Sequence, residues 1–204
     1  MSIKKKSKST ASEKRQIKYR ASNKGLTMVY FGNGKGKTTA ALGTILRAVG
    51  QGWECEVFQF IKGPWPSSER EAIPKFLSSL VKIKAGGKGF VGIMNDKLPR
   101  EEHKRLAKIL FEEAKQLFQT EEHISRTTPK LVVMDELLDT IELELISENE
   151  VINFIKKKPE NIHLIITGHK KFPNIFKEVD LVTEMKKIKH PFDKGFLAIK
   201  GLDY

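Results

Sequence analysis

The feature that most constrains this chain is the run FGNGKGKTTAA at residues 31–41. Before it stands LTMVYF (26–31), β-branched and aromatic, which reads as a buried strand closed by glycine. After it, KTTAALGTILRAVG (37–50) sets Ala41, Ile45, Ala48 and Val49 along one helical face, and glycines at 50 and 52 stop the helix. Strand, glycine turn and helix in that order form a cradle for phosphate. Gly32, Gly34 and Gly36 let the backbone turn tightly and aim its N–H groups inward, and the helix N-terminus adds the positive end of its dipole. Lys37 can reach phosphate oxygens, and the Thr38 hydroxyl suits a magnesium ion. Asn33, Lys35 and Thr39 complete the candidate phosphate-binding run. The spacing departs from the general motif. A first glycine is expected five residues before Gly36, but Phe31 stands there, so the loop is one residue short.

Downstream, short apolar runs alternate with helical stretches. ECEVFQFI (54–61), VKIKA (81–85), KLVVMDEL (130–137), HLIITG (163–168) and DLVTEMKKI (180–188) read as strands. Residues 67–80 read as helical in part, and NEVINFIKKK (149–158) as a short helix. Pro99 opens a long amphipathic helix with Leu106, Leu110, Ala114 and Leu117 as its apolar stripe. The glycine-rich GGKGFVG (86–92) reads as a mobile loop. Strands separated by helices of this length require right-handed crossovers, so the expected fold is α/β, three-layered, with a mostly parallel sheet covered on both faces.

VVMDEL carries the second chemical signal. Asp135 would end a buried strand and face the phosphate loop if that strand neighboured the first one. It could hold magnesium directly or through water, with Glu136 as a second ligand or an acid/base group. In KGPWPSSE, Trp65 could stack on a flat ligand and Glu69 could meet metal or ribose. His103, His123 and His163 show no ligand spacing and read as structural or solvated.

At 204 residues the chain suits one domain, with 1–25 a basic, flexible arm and 26–204 the folded unit. The net charge is +12, and nine bases against one acid in residues 1–25 supply +8 of it. That arm could meet nucleic acid, but its one aromatic residue, Tyr19, offers no stacking track, so a solvated leader is the expectation. Cys55 alone excludes a disulfide scaffold and fits a reducing compartment. No run is apolar enough to span a membrane, and a cytoplasmic location is expected.

The chain resembles the P-loop type of ATP:corrinoid adenosyltransferase. The resemblance runs from about Gly25 to Tyr204 and rests on GNGKGKTTAALG (32–43) with its shortened loop, RAVGQG (47–52), QFIKGPWPSSER (59–70), VVMDEL (132–137), ITG (166–168) and DLVTEMKKIKHPFDKGFLAIKGLDY (180–204). It implies a RecA-like α/β fold, a homodimer, and ATP with magnesium. It also implies a reaction in which a corrinoid reduced to cobalt(I), supplied with electrons by a reductase, attacks the ribose C5′ of ATP while triphosphate leaves whole. Arg47, Glu69 and His169 become nucleotide candidates, and Trp65, Phe90, His190 and Phe192 corrinoid candidates. Two positions depart from the family. Gly92 stands where an aromatic residue, usually Trp, is expected beside Phe90, and His169 stands where Arg usually follows ITG. The alternatives are a P-loop ATPase releasing orthophosphate, linked to nucleic acid by its arm, and a non-catalytic binder of ATP or corrinoid.

Overall fold

The computed structural model describes residues 24–62, 67–87, 98–119 and 130–204. Six strands form one sheet: β1 (Thr27–Phe31), β2 (Cys55–Gln59), β3 (Val81–Ala85), β4 (Lys130–Asp135), β5 (Ile162–Gly168) and β6 (Leu181–Glu184). Their order is β3-β2-β4-β5-β1-β6 and every pairing is parallel. The helices are α1 (Lys37–Val49), α2 (Ser68–Phe76), α3 (Arg100–Leu117), α4 (Leu137–Glu142), α5 (Glu148–Lys156) and α6 (Pro173–Phe176), with a 3-10 turn at Pro191–Lys194. No helix among the described residues is long and apolar enough to cross a membrane.

The near-continuous apolar strands follow from burial on both faces. Side chains alternate across the sheet. Val57, Leu131, Val133 and Ile165 meet Ala41, Ile45 and Ala48 of α1 and Ile73 of α2 on one side. Val29, Phe58, Val132, Met134, Leu164 and Ile166 meet α3, α4 and α5 on the other. That second layer is keyed by aromatic rings: Phe118 stacks on Phe154 at 4.5 Å, and Phe111 lies 5.2 Å from Phe154.

Three local expectations shift. The buried face of α3 is His103, Ala107, Leu110, Phe111, Ala114 and Leu117, with Leu106 at its margin. Leu106 and Ala107 differ by about 100° around the axis, and Phe111, one turn beyond Ala107, draws that side inward. The strand beginning at Lys130 ends at Asp135, because Glu136 turns left-handed (φ 63) and starts α4. The run 180–188 contributes only Leu181–Glu184, an edge strand exposed along its length. The glycine-rich loop expected at 86–92 falls mainly outside the described residues, as do residues 1–23.

Where the chain enters the fold, the Lys158 ammonium donates to the carbonyls of Gly25 (3.0 Å), Pro159 (3.2 Å) and Ile162 (2.6 Å). One cation thus joins the start of β1 to the start of β5. Burial lowers its pKa, but it keeps its three acceptors. Lys158→Met should lower unfolding free energy by about 1–3 kcal/mol, the cost of orphaned carbonyls. Urea unfolding checks this, and an unchanged midpoint would contradict it.

Candidate active site

The chemical groups gather at the carboxyl ends of the parallel strands, where α/β sheets bind their ligands. The loop from Gly32 to Gly36 leaves β1 with Gly32 at φ 117 and Gly36 at φ 116, a region that side-chain-bearing residues avoid. It is braced from both neighbouring strands. The Gly32 N–H donates to the carbonyl of Gly168, the last residue of β5 (3.2 Å), and the Gly34 N–H to the Met185 carbonyl just beyond β6 (2.7 Å). A Cβ on Gly34 would sit 2.8 Å from that Met185 carbonyl oxygen, so the loop accepts no side chain there. The Asn33 side chain accepts from the Lys187 N–H at 2.9 Å. The one-residue shortening also has a visible cause. Phe31 is still a strand residue, paired with Gly168 and Glu184 and packed on Phe176 with ring centroids 4.8 Å apart.

Lys37 folds back over the loop, and its ammonium donates to the Gly32 (2.8 Å) and Gly34 (2.9 Å) carbonyls. Burial lowers its pKa, opposed by the negative charges of Asp139, Glu136 and Asp135. Thr38 donates its hydroxyl proton to Asp135 Oδ1 at 2.9 Å. The condition set for Asp135, that β4 neighbour β1, is not met, because β5 lies between them, yet Asp135 still reaches Thr38. The gap is bridged by Thr167, whose hydroxyl donates to Asp135 Oδ1 (2.7 Å) and accepts from the Glu136 N–H (2.8 Å). Asp135 Oδ2 accepts from Gln59 Nε2 at 3.2 Å, and the same amide reaches Glu69 Oε1 at 3.2 Å. Arg70 Nε donates to Gln59 Oε1 (3.0 Å), which fixes the amide with its nitrogen towards the carboxylates.

Glu136 lies 3.5 Å from Lys62. Burial, with Asp135 and Asp139 nearby, pushes its carboxyl up to about 7 despite that lysine. Burial works against the Lys62 charge, yet Glu136, Asp135 and Glu69 raise its pKa above the ordinary value. Burial likewise opposes the charge on Glu69, but hydrogen bonds from its own N–H and from Gln59 hold its carboxyl below the usual range. Lys35, Lys37, Thr38, Thr39, Lys62, Glu69 and Glu136 all line one cavity of about 270 Å³ over the loop.

The remaining candidates divide. His169 is at the site: its N–H donates to Asp139 Oδ1 (2.8 Å), and its ring Nδ1 lies 3.0 Å from the same oxygen, which assigns the Nδ1–H tautomer. Arg47 is not brought there. It is exposed in the last turn of α1, about 15 Å of helix beyond Lys37. Lys35 points away from a phosphate role, donating to the Leu202 carbonyl (3.1 Å) and pairing with Asp203. His190 accepts from the Phe192 N–H at 3.2 Å and caps the 3-10 turn, while the Phe192 ring is 69% exposed. Trp65, Phe90, Gly92 and His123 lie outside the described residues. His103 is buried within α3, and His163 stacks on Trp53.

The sequence reading missed Gln59, Asp139 and Thr167. Each had a signal: Gln59 and Thr167 are polar positions near the ends of apolar strands, and Asp139 lies four residues past Asp135, in the first turn of α4. The hydrogen bond that His169 donates to Asp139 raises the pKa of His169, against burial. The pairing therefore adds stability below pH 6.5, the unperturbed value, which is lost as pH rises through the raised native value. Asp139→Asn should bring the His169 titration back down, as followed by NMR. An unmoved titration would remove the pairing from the account.

Comparison with known proteins decides what this site belongs to. Residues 23–204 match the family described as ATP:corrinoid adenosyltransferase BtuR/CobO/CobP. The chain belongs to that family. A corrinoid adenosyltransferase of Sinorhizobium sp is 34% identical over 198 residues, covering 97% of this chain and 88% of that one. The corrinoid adenosyltransferase of Escherichia coli K12 is 34% identical over 181 residues, 89% of this chain and 86% of that one. The corrinoid adenosyltransferase CobA of Salmonella typhimurium LT2 is likewise 34% identical over 181 residues. Among solved structures, the cytoplasmic domain of EssC superposes with a TM-score of 0.51 at 14% identity, over 89% of this chain and 35% of that one, a likeness of fold alone.

Proposed function

We propose that this adenosyltransferase-family chain transfers the 5′-deoxyadenosyl group of ATP to the cobalt(I) of a reduced corrinoid and releases triphosphate. The observation that carries the reading is the near-full-length match to corrinoid adenosyltransferases, on a loop where Thr38 is already tied to Asp135. Residues 26–204 act as the catalytic unit and 1–25 as a basic arm. In this reaction a carbon–oxygen bond breaks and charge builds on the departing triphosphate. Catalysis then depends on donors aimed at that charge.

The Gly32 and Gly34 N–H groups brace the loop rather than face a ligand, so the N–H groups of Lys35, Gly36 and the start of α1, with Thr39, bind phosphate oxygens. Lys37 exchanges two neutral carbonyls for those oxygens, and the neighbouring carboxylates help it stay protonated despite burial. Magnesium fits the donor set. Thr38 spends its proton on Asp135, leaving oxygen lone pairs for a cation, and the carboxylates of Glu136 and Glu69 line the same cavity. No three His, Cys, Asp or Glu side chains converge as a ready-made cage among the described residues. Magnesium at phosphate sites takes few protein oxygens and completes its shell with phosphate and water. Thr38 and Glu136 would hold it, Asp135 would orient Thr38, and the ion would neutralise charge on the leaving triphosphate. Since cobalt(I) is the nucleophile, no general base is needed. His169 and Glu69 serve the nucleotide, and Trp65, Phe90, His190 and Phe192 the corrinoid. The enzyme works as a cytoplasmic homodimer fed by an electron-donating reductase.

Phosphorus NMR of a reaction with ATP, magnesium and chemically reduced cobalamin tests this. Triphosphate should appear in step with the adenosylated product. Orthophosphate with ADP would mark a P-loop ATPase, and no turnover a binder.

A further inference from the structure

The run 199–204 forms one wall of the cavity over the phosphate loop. Gly201, Leu202, Asp203 and Tyr204 face the same space as Lys37 and Thr38. The run is a compact turn that bonds to itself. The Ile199 carbonyl accepts from the N–H groups of Leu202 (3.1 Å) and Asp203 (2.8 Å), and Asp203 Oδ2 accepts from the Ile199 N–H (2.7 Å). Gly201 at φ 81 supplies the left-handed step. Its anchor on the loop is Lys35, which grips the Leu202 carbonyl and the Asp203 carboxylate together.

Among the described residues lining the cavity, only Leu42, Leu202 and Tyr204 present sizeable apolar surface. The others are lysines, hydroxyls, carboxylates or glycines. Phosphates belong with the charged part, and the flat, weakly polar base of a nucleotide belongs against the apolar part. Lys35 cannot serve a phosphate while it holds Asp203 and Leu202.

We propose that the 199–204 turn is the nucleoside wall of the ATP site and that Lys35 is the positioning residue clamping it there. This rests on the ATP-dependent reading above and extends it to the base end of the nucleotide. The clamp is a half-exposed ion pair, so its loss should change affinity modestly rather than abolish it.

Calorimetric titration of the full chain with ATP, and separately with inorganic tripolyphosphate, tests the assignment. Asp203→Asn and Lys35→Met should each weaken ATP about five- to tenfold, leave tripolyphosphate within about twofold, and be no worse combined. Leu202→Ser should show the same selectivity for ATP. ATP affinity undiminished by Asp203→Asn, or tightened by it, overturns the inference and leaves the functional reading standing. A loss of tripolyphosphate binding in Lys35→Met alone makes Lys35 a phosphate ligand and also overturns it. A wild-type chain that binds neither probe removes the functional reading and this inference together.

Discussion

Lys37→Ala is expected to lower turnover by about 10²–10³-fold, the usual effect of removing one well-placed donor from developing negative charge. The residue sits where a strand-end loop becomes α1, and among the described residues its ammonium donates only to the Gly32 and Gly34 carbonyls. These carbonyls belong to a loop already held by Gly168 and Met185, so the fold does not depend on the lysine. Thermal unfolding should therefore stay within a few degrees of wild type while single-turnover rates collapse. A variant that turns over normally would take the loop out of the chemistry. One that unfolds would mean the ammonium is a structural clip.

Asp135→Ala should damage stability and catalysis together. Its buried carboxylate receives Thr38 and Thr167 on one oxygen and Gln59 on the other. Removing it strands three donors, at a cost of about 3–5 kcal/mol. Asp135→Asn is not innocuous either. If its oxygen keeps the two threonines, its NH2 faces Gln59, whose own amide cannot flip without losing Arg70. Asp135→Asn should fold with a loss of about 1–3 kcal/mol and bind Mn2+ more weakly in the presence of ATP, read by electron paramagnetic resonance. Wild-type metal affinity in that variant would confine Asp135 to a structural role.

Much of this site can be read from residues alone. The glycines at 32 and 36 occupy the positive-φ positions their spacing suggests, Lys-Thr opens α1, and Asp135 ends a strand beside them. The rest depends on contacts between distant segments. Nothing local to β1 or β4 says that β5 inserts between them, and with that order unknown Thr167 could not be seen as the bridge. Asp139 and His169 meet across 30 residues, and Lys35 and Leu202 across 167. The 199–204 turn has no period to betray it. Arg47 shows the converse, since a segment next to the loop in sequence runs away from it along a helix.

The central claim is that the ribose C5′–O bond breaks, and an isotope can follow that bond. ATP labelled with 18O at the 5′ bridging oxygen would be mixed anaerobically with magnesium and cob(I)alamin, and the products weighed by mass spectrometry. The account predicts that all of the label leaves in triphosphate, with an unlabelled 5′-deoxyadenosyl group on cobalt in equal amount. Label retained in ADP beside unlabelled orthophosphate, with the corrinoid unchanged, would contradict it.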